Sequence, residues 1–297
     1  MRLAFTVVLL WSLSCAAQPA VMNPGTAVAP SRYMFTAFTN TSESNMFVYQ
    51  SPDALHYTLL KGPAYTPHSG LVRDPSLMQH IDGLYYIAYT TGWTGADFGI
   101  ASSPDLMNWT FVRNVPVQVA GVTSVWAPEW FKDPADGSIN IIVSLLTNDA
   151  PGRRGHRLLA LNDQLSVFSP GRLLTGFGPN TIDHFIVKVG PTYHVFCKNE
   201  TTKFIEHATA AKLDGPYTFV GTGDWAGWGG DLEGPSLMRL ANGHWRLYMD
   251  AYQTGHYYVS DSADLVTWTP KVELPASTAG QPMSGFVRHG TVHSQNR

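Results

Sequence analysis

Asp74-Pro75-Ser76-Leu77-Met78 returns as Glu233-Gly234-Pro235-Ser236-Leu237-Met238, so a carboxylate entering an apolar strand recurs with a different acid. Three more polar residues keep nearly the same interval: Glu129 in Trp-Ala-Pro-Glu-Trp, Asp183 in Thr-Ile-Asp-His-Phe and His289 in Arg-His-Gly-Thr. The steps from 74 to 129, 183, 233 and 289 all lie between 50 and 56 residues. Such a period exceeds a solenoid repeat and suits a four-stranded blade, so it predicts an all-β, five-bladed β-propeller with the ladder facing one axis.

A second ladder has the same period. Tyr57, Trp109, Phe168, Tyr217 and Trp268 recur beside the related strings Ser-Pro-Asp-Ala-Leu-His-Tyr, Ser-Pro-Asp-Leu-Met-Asn-Trp and Ser-Ala-Asp-Leu-Val-Thr-Trp. The Pro-Asp and Ala-Asp turns should start outer hairpins, and the aromatics should pack between neighbouring blades. Between ladder positions lie aromatic or β-branched runs at 84–91, 139–146, 192–197 and 245–252, read as strands. Three of them follow Asp82-Gly83, Asp136-Gly137 or Asn242-Gly243, strong hairpin signals. No segment sustains a helical apolar period. The strand carrying His289 comes last with no outer strands after it, whereas residues 32–60 supply outer strands with no inner one before them. The two ends should therefore share one blade, which removes open edges.

Composition narrows the function. The 297 residues carry 14% charged side chains and a net charge of -3, which gives no basic field for nucleic acid. Aromatic residues make up 12%, with nine tryptophans, which suits stacking on sugar faces. Residues 1–17 combine Met-Arg, an apolar run from Leu3 to Leu13 and Ser-Cys-Ala-Ala, the three parts of a secretory signal cleaved after Ala17. The run is too short for a membrane span. Lipidation at Cys15 is less favoured, because Ser12 stands where such signals usually have Leu. A secreted or periplasmic protein follows, with a linker over 18–30, a propeller over 31–297 and only Cys197 left, hence no internal disulfide.

Arg73-Asp74-Pro75, Trp126-Ala127-Pro128-Glu129, Ile182-Asp183, Glu233-Gly234-Pro235 and Arg288-His289-Gly290, with the Ser-Pro-Asp-Leu-X-X-Trp strings, together resemble glycoside hydrolase family 43. The resemblance spans nearly all of the expected mature chain. It implies an active site at the mouth of the central funnel and an inverting action on furanosides or xylosides of plant cell walls. It also implies Asp74 as general base, Asp183 as the carboxylate that tunes the acid, and Glu233 as general acid. The chemistry needs those types independently: inversion takes one protonated carboxyl for the leaving oxygen and one carboxylate, roughly 6.5–9.5 Å away, to activate water. A third carboxylate beside Glu233 would raise its proton affinity by like-charge repulsion.

Trp93, Trp126, Trp228 and Tyr252, near ladder residues or in the loops after strands, are candidates for sugar contact, as is Phe185 beside Asp183. Several of the tryptophans must instead be core. Glu129 is either a sugar contact or a structural acid. Arg288, an inner-strand cation, should pair with one of the acids and fix its geometry. The Gly-rich loop over 222–230 is the candidate specificity loop. In the family the matching His helps hold a calcium ion or water in the channel through water molecules, so a Ca2+ at His289 would be structural and no cofactor is required. No Asp-X-Asp-X-Asp-Gly loop strengthens it. The expectation is an exo-acting α-L-arabinofuranosidase or β-xylosidase on an oligo- or polysaccharide. Endo-arabinanase and a non-catalytic carbohydrate-binding propeller are the alternatives, and oligomeric state is left open.

Overall fold

The computed structural model describes residues 32–275, 283 and 286–295. The expected signal peptide, Cys15 and the linker over 18–30 lie outside the described residues. Every regular element among those described is a strand. The first three, β1 (Arg32–Thr39), β2 (Ser42–Ser51) and β3 (Thr58–Tyr65), form one blade's outer part. Blade 1 follows as β4 (Arg73–Gln79), β5 (Tyr85–Thr90), β6 (Asp97–Ser103) and β7 (Thr110–Pro116). Blade 2 is β8 (Val122–Lys132), β9 (Ile139–Thr147), β10 (Arg154–Leu159) and β11 (Arg172–Leu173). Blade 3 is β12 (Thr181–Val189), β13 (Thr192–Asn199), β14 (Ile205–Ala210) and β15 (Thr218–Gly221). Blade 4 is β16 (Glu233–Arg239), β17 (Trp245–Ala251), β18 (His256–Ser262) and β19 (Val272–Glu273).

The last strand, β20 (Val287–Gln295), pairs antiparallel with β1, from Arg32 opposite Gln295 to Thr39 opposite Val287. The fifth blade is therefore β20-β1-β2-β3, and the ring closes through the two ends of the propeller, as the order of ladder residues predicts.

The blades are held by what lies between them. Five apolar clusters form, each drawn from two adjacent blades: Phe131 and Ile142 meet Ile186 and Val195, for example, and Phe185 and Phe196 meet Leu237 and Leu247. Burying such side chains contributes about 1.5–3 kcal/mol each, and no single blade could do it alone. The aromatic ladder fills these seams. Tyr57 bonds the Tyr248 hydroxyl of blade 4 (3.0 Å), Phe168 packs edge-on against Phe98 of blade 1 (5.9 Å), and Trp268 does so against Phe196 of blade 3 (5.7 Å). The repeated strings share one turn. Asp53, Asp105 and Asp264 each accept two following backbone N–H groups, while Ala54, Leu106 and Leu265 take a positive φ and bury their side chains.

The inner strands share a second device. Pairing slips between Arg73 and Ser76, Trp126 and Glu129, Ile182 and Phe185, and Glu233 and Ser236. The residue after each first position has a left-handed backbone: φ is 50° at Asp74, 46° at Ala127, 56° at Asp183 and 56° at Gly234. A bulge of this kind re-aims a side chain, and Asp and Gly tolerate the conformation better than most residues. The bulge also corrects the sequence alignment. Asp74 and Glu233 are not equivalent, because Gly234 takes the bulge position that Asp74 holds in blade 1. Glu233 stands one residue earlier, where blade 1 has Arg73. What repeats in register is Pro-Ser-Leu-Met.

Candidate active site

The four bulged inner strands, together with β20 and neighbouring second strands and loops, bring polar side chains from all five blades to one mouth. A cavity of about 310 Å³ is lined by Asp74, Asp183, Glu233, Lys198, Arg288 and His289, with Glu43, Arg73, Trp93, Trp126 and Tyr252 among its rim. His289 stands between two of the acids, its Nδ1 3.3 Å from Asp74 and 3.7 Å from Asp183. Burial opposes the charge on His289, but Asp183 and Asp74 outweigh it and raise its pKa to about 10. The imidazole is thus a cation at neutral pH.

The two acids on either side respond differently. Burial pushes Asp74 upward, yet the hydrogen bond and charge of His289, the charge of Arg73 and the Thr90 hydroxyl at 2.7 Å hold it well below the usual carboxylate range. Asp183 is raised, first by burial and then by the negative charges of Glu233 and Asp74, against the pull of His289. Geometry accounts for the split: Asp74 has the closer imidazole and a hydroxyl, whereas Asp183 accepts one backbone N–H, from Gly234 at 3.1 Å. One acid is locked as an anion, and its neighbour holds a proton more readily.

Glu233 is clamped from both sides. Lys198 Nζ is 2.7 Å from one oxygen and Arg288 is 2.5 Å from the other. Arg288 also binds Asp250 at 2.7 Å and Asn40, and Lys198 also binds Glu200 at 2.7 Å. Asp250 is fully buried and raised by that burial; its Oδ2 also accepts the His289 backbone N–H. For Glu233 to protonate a substrate oxygen, one of its two cations must give way.

The family model described as a probable glycosyl hydrolase domain, in the glycoside hydrolase family 43-related group, matches residues 29–296. The chain belongs to this family. No curated protein sequence matches it. Solved structures share the glycoside hydrolase family 43 fold at low identity. An endo-1,4-β-xylanase from Bacteroides thetaiotaomicron has a TM-score of 0.63 and 13% identity, over 81% of this chain and 93% of that one. An endo-arabinase from the same organism has 0.57 and 14%, over 85% and 92%. A xylan β-1,4-xylosidase from Bacillus halodurans has 0.57 and 14%, over 90% and 51%. At these identities the likeness bears on the fold.

Within the family 43 fold, the structure gathers Asp74, Asp183, Glu233, Arg288, His289, Trp93, Trp126 and Tyr252 at the mouth. It does not bring the remaining sequence candidates there. Phe185 and Trp228 are 8% and 3% exposed and belong to the apolar seam between blades 3 and 4, because their apolar surface is worth more there than in a wet pocket. In the loop over 222–230, Trp228 is buried and Trp225 donates to the Ile205 carbonyl at 2.9 Å, while Thr222, Asp224, Gly227 and Gly230 stay exposed, and none of its residues lines the cavity. Glu129 lies deeper on the axis, accepting from Ser76 at 2.8 Å and Thr291 at 2.9 Å, and burial raises its pKa to about 7. The tryptophans at the rim are partly covered: Arg153 lies 3.3 Å over Trp126 and Arg73 4.1 Å over Trp93, leaving less ring for a sugar.

Nδ1 of His289 faces Asp74 and Asp183, so Nε2 is the nitrogen that an ion or an ion-bound water in the channel would meet. The space below it, lined by Glu129, Asp183, His184 and Phe185, admits no water-sized body. No group of three His, Cys, Asp or Glu suited to a metal occurs among the described residues.

Sequence reasoning missed Lys198, Asp250, Glu200 and Glu43. Asp250 had a signal, a carboxylate inside the apolar run Tyr248-Met249-Asp250-Ala251. Lys198 sits one residue beyond the run at 192–197, at the start of Lys198-Asn199-Glu200, which resembles any polar strand end.

Proposed function

We propose that the protein is an inverting glycoside hydrolase of plant cell-wall glycans, releasing terminal arabinofuranosyl or xylosyl units. In this reading Asp74 draws the proton from the attacking water, Glu233 protonates the leaving oxygen and Asp183 tunes the site. The observation that carries it is three carboxylates from blades 1, 3 and 4 converging on one cavity, with Asp74 kept anionic by His289. A base needs a free lone pair near neutral pH, and that arrangement supplies one. The xylanase, xylan xylosidase and arabinase among the structural relatives support the sugar class. Action outside the cytoplasm belongs to the same proposal, because polymers of this kind are met outside the cell.

A second reading has its own support. With both oxygens of Glu233 held by cations, a propeller that binds sugar without cleaving it is consistent with the geometry. Purified protein and Asp74→Asn, assayed on aryl arabinofuranoside, aryl xyloside and debranched arabinan, separate the two. The hydrolase reading expects turnover that falls about 10² to 10⁴-fold in Asp74→Asn, and an inverted first product by proton NMR. A retained anomer sinks the single displacement, and oligosaccharide binding with no turnover on any substrate makes the binding module the answer.

A further inference from the structure

Lys198 occupies a place that the other blades fill with oxygen. The residue pairing with the pre-bulge position is Thr90 opposite Arg73, Ser144 opposite Trp126, Lys198 opposite Ile182 and Asp250 opposite Glu233. Three of these four accept a backbone N–H from the next blade's inner strand: Thr90 from Ala127, Ser144 from Asp183 and Asp250 from His289. An ammonium has no lone pair to offer. The Gly234 N–H goes to the Asp183 carboxylate instead, and Lys198 turns into the cavity.

There it is 3% exposed, 2.7 Å from both Glu233 and Glu200, and 4.0 Å over the ring of Tyr252. Burial works against its charge, but Glu233 and Asp183 outweigh burial and raise its pKa above the ordinary lysine value. A residue so costly to bury, at a position where Ser or Thr would serve the backbone, is there for its charge.

We propose that Lys198, anchored on Glu200, is a positioning residue for Glu233 that orients its carboxyl and sets the pH at which that carboxyl carries a proton. The proposal rests on the reading of Glu233 as general acid. Glu233 is faced by Asp183 from β12, Lys198 from β13, Asp250 from β17, and Arg288 and His289 from β20, with Glu200 just behind Lys198. Arg288 divides its charge between Glu233 and Asp250. Lys198 is therefore the cation that can be removed without disturbing the strand that closes the ring.

The test compares pH profiles of kcat/KM on whichever nitrophenyl glycoside the protein hydrolyses. Lys198→Met should move the basic limb upward by about one unit or more, since an opposite charge in contact shifts a carboxyl by about 1–3 units. Lys198→Arg should return it toward the parent. Glu200→Gln should move the limb the other way, because the ammonium then belongs to Glu233 alone. On dinitrophenyl glycosides, whose leaving group needs no proton, the upward shift of the basic limb in Lys198→Met should shrink or vanish. A Lys198→Met limb coincident with the parent's, or shifts of the same sign in Lys198→Met and Glu200→Gln, overturns the proposal. Glu233→Gln on both substrate types separates this failure from that of the underlying reading. If Glu233→Gln is impaired equally on both, Glu233 is not the acid and the proposal falls with that assignment.

Discussion

Replacing His289 by Gln removes a cation shared by Asp74 and Asp183 while keeping a side chain that can still donate one hydrogen bond. The attraction between unit charges 3.3 Å apart, at an effective dielectric near 20, is about 5 kcal/mol. At 1.36 kcal/mol per pKa unit this caps the change in Asp74 at about 3–4 units, and retained contacts with Thr90 and Arg73 bring the expectation to about 1–3. Asp74 is held low in the folded protein, so losing His289 lets it take a proton at higher pH. The acid limb of kcat/KM should therefore rise by that amount, measured on an aryl glycoside from about pH 3 to pH 9. Folding responds with the opposite dependence. His289 has its pKa raised from 6.5 to about 10, so its stabilisation is complete below pH 6.5 and fades as pH climbs toward 10. The stability gap between parent and variant, read by urea unfolding, should narrow across that window. A folded His289→Gln protein with an unmoved acid limb refutes the account of Asp74.

Glu129 carries the opposite sign from Asp74, because burial raises its pKa from 4.5 to about 7. Its cost to stability is absent below pH 4.5 and grows until about pH 7; Glu129→Gln, which can still bond Ser76 and Thr291, should gain up to about 3 kcal/mol over the parent by pH 8. Equal pH dependence of unfolding in the two proteins would contradict this. Gly234→Ala places a Cβ 2.5 Å from the His289 ring at a φ of 56° and should cost about 2–4 kcal/mol together with activity. Thermal unfolding of Gly234→Ala at the parent's temperature would rule out the tight packing of that bulge.

The blades were legible because each repeats a local device with its own chemistry. In Ser-Pro-Asp-Leu the carboxylate closes a turn on two N–H groups, and that requirement preserves the string and its spacing. The acids Asp74, Asp183 and Glu233 were legible from their period, but their register was not. A bulge adds a residue without leaving a fixed letter, so Asp-Pro and Glu-Gly-Pro look alike although they place their carboxylates one position apart. Second-strand residues such as Lys198 were hidden for a different reason. Their place is set by pairing across a sheet, Lys198 opposite Ile182, which adjacency in sequence does not reveal. Trp228 shows the converse error: a tryptophan five residues before Glu233 suggests sugar, but the seam between blades offers it a drier place.

β20 has a consequence beyond topology. Arg288 and His289, which together touch Asp74, Asp183, Glu233 and Asp250, both arrive on this closing strand. Without β20 on β1, these four carboxylates would lack both counterions, and Lys198 on Glu233 would be the cation of the cavity that remains in contact with one of them. Docking supplies the neutralising charge and the last inner strand in one event. A molecule whose latch has sprung open thus loses two of the cations that face Asp74, Asp183, Glu233 and Asp250 together, so the charge state of the cavity reports how much of the population is closed.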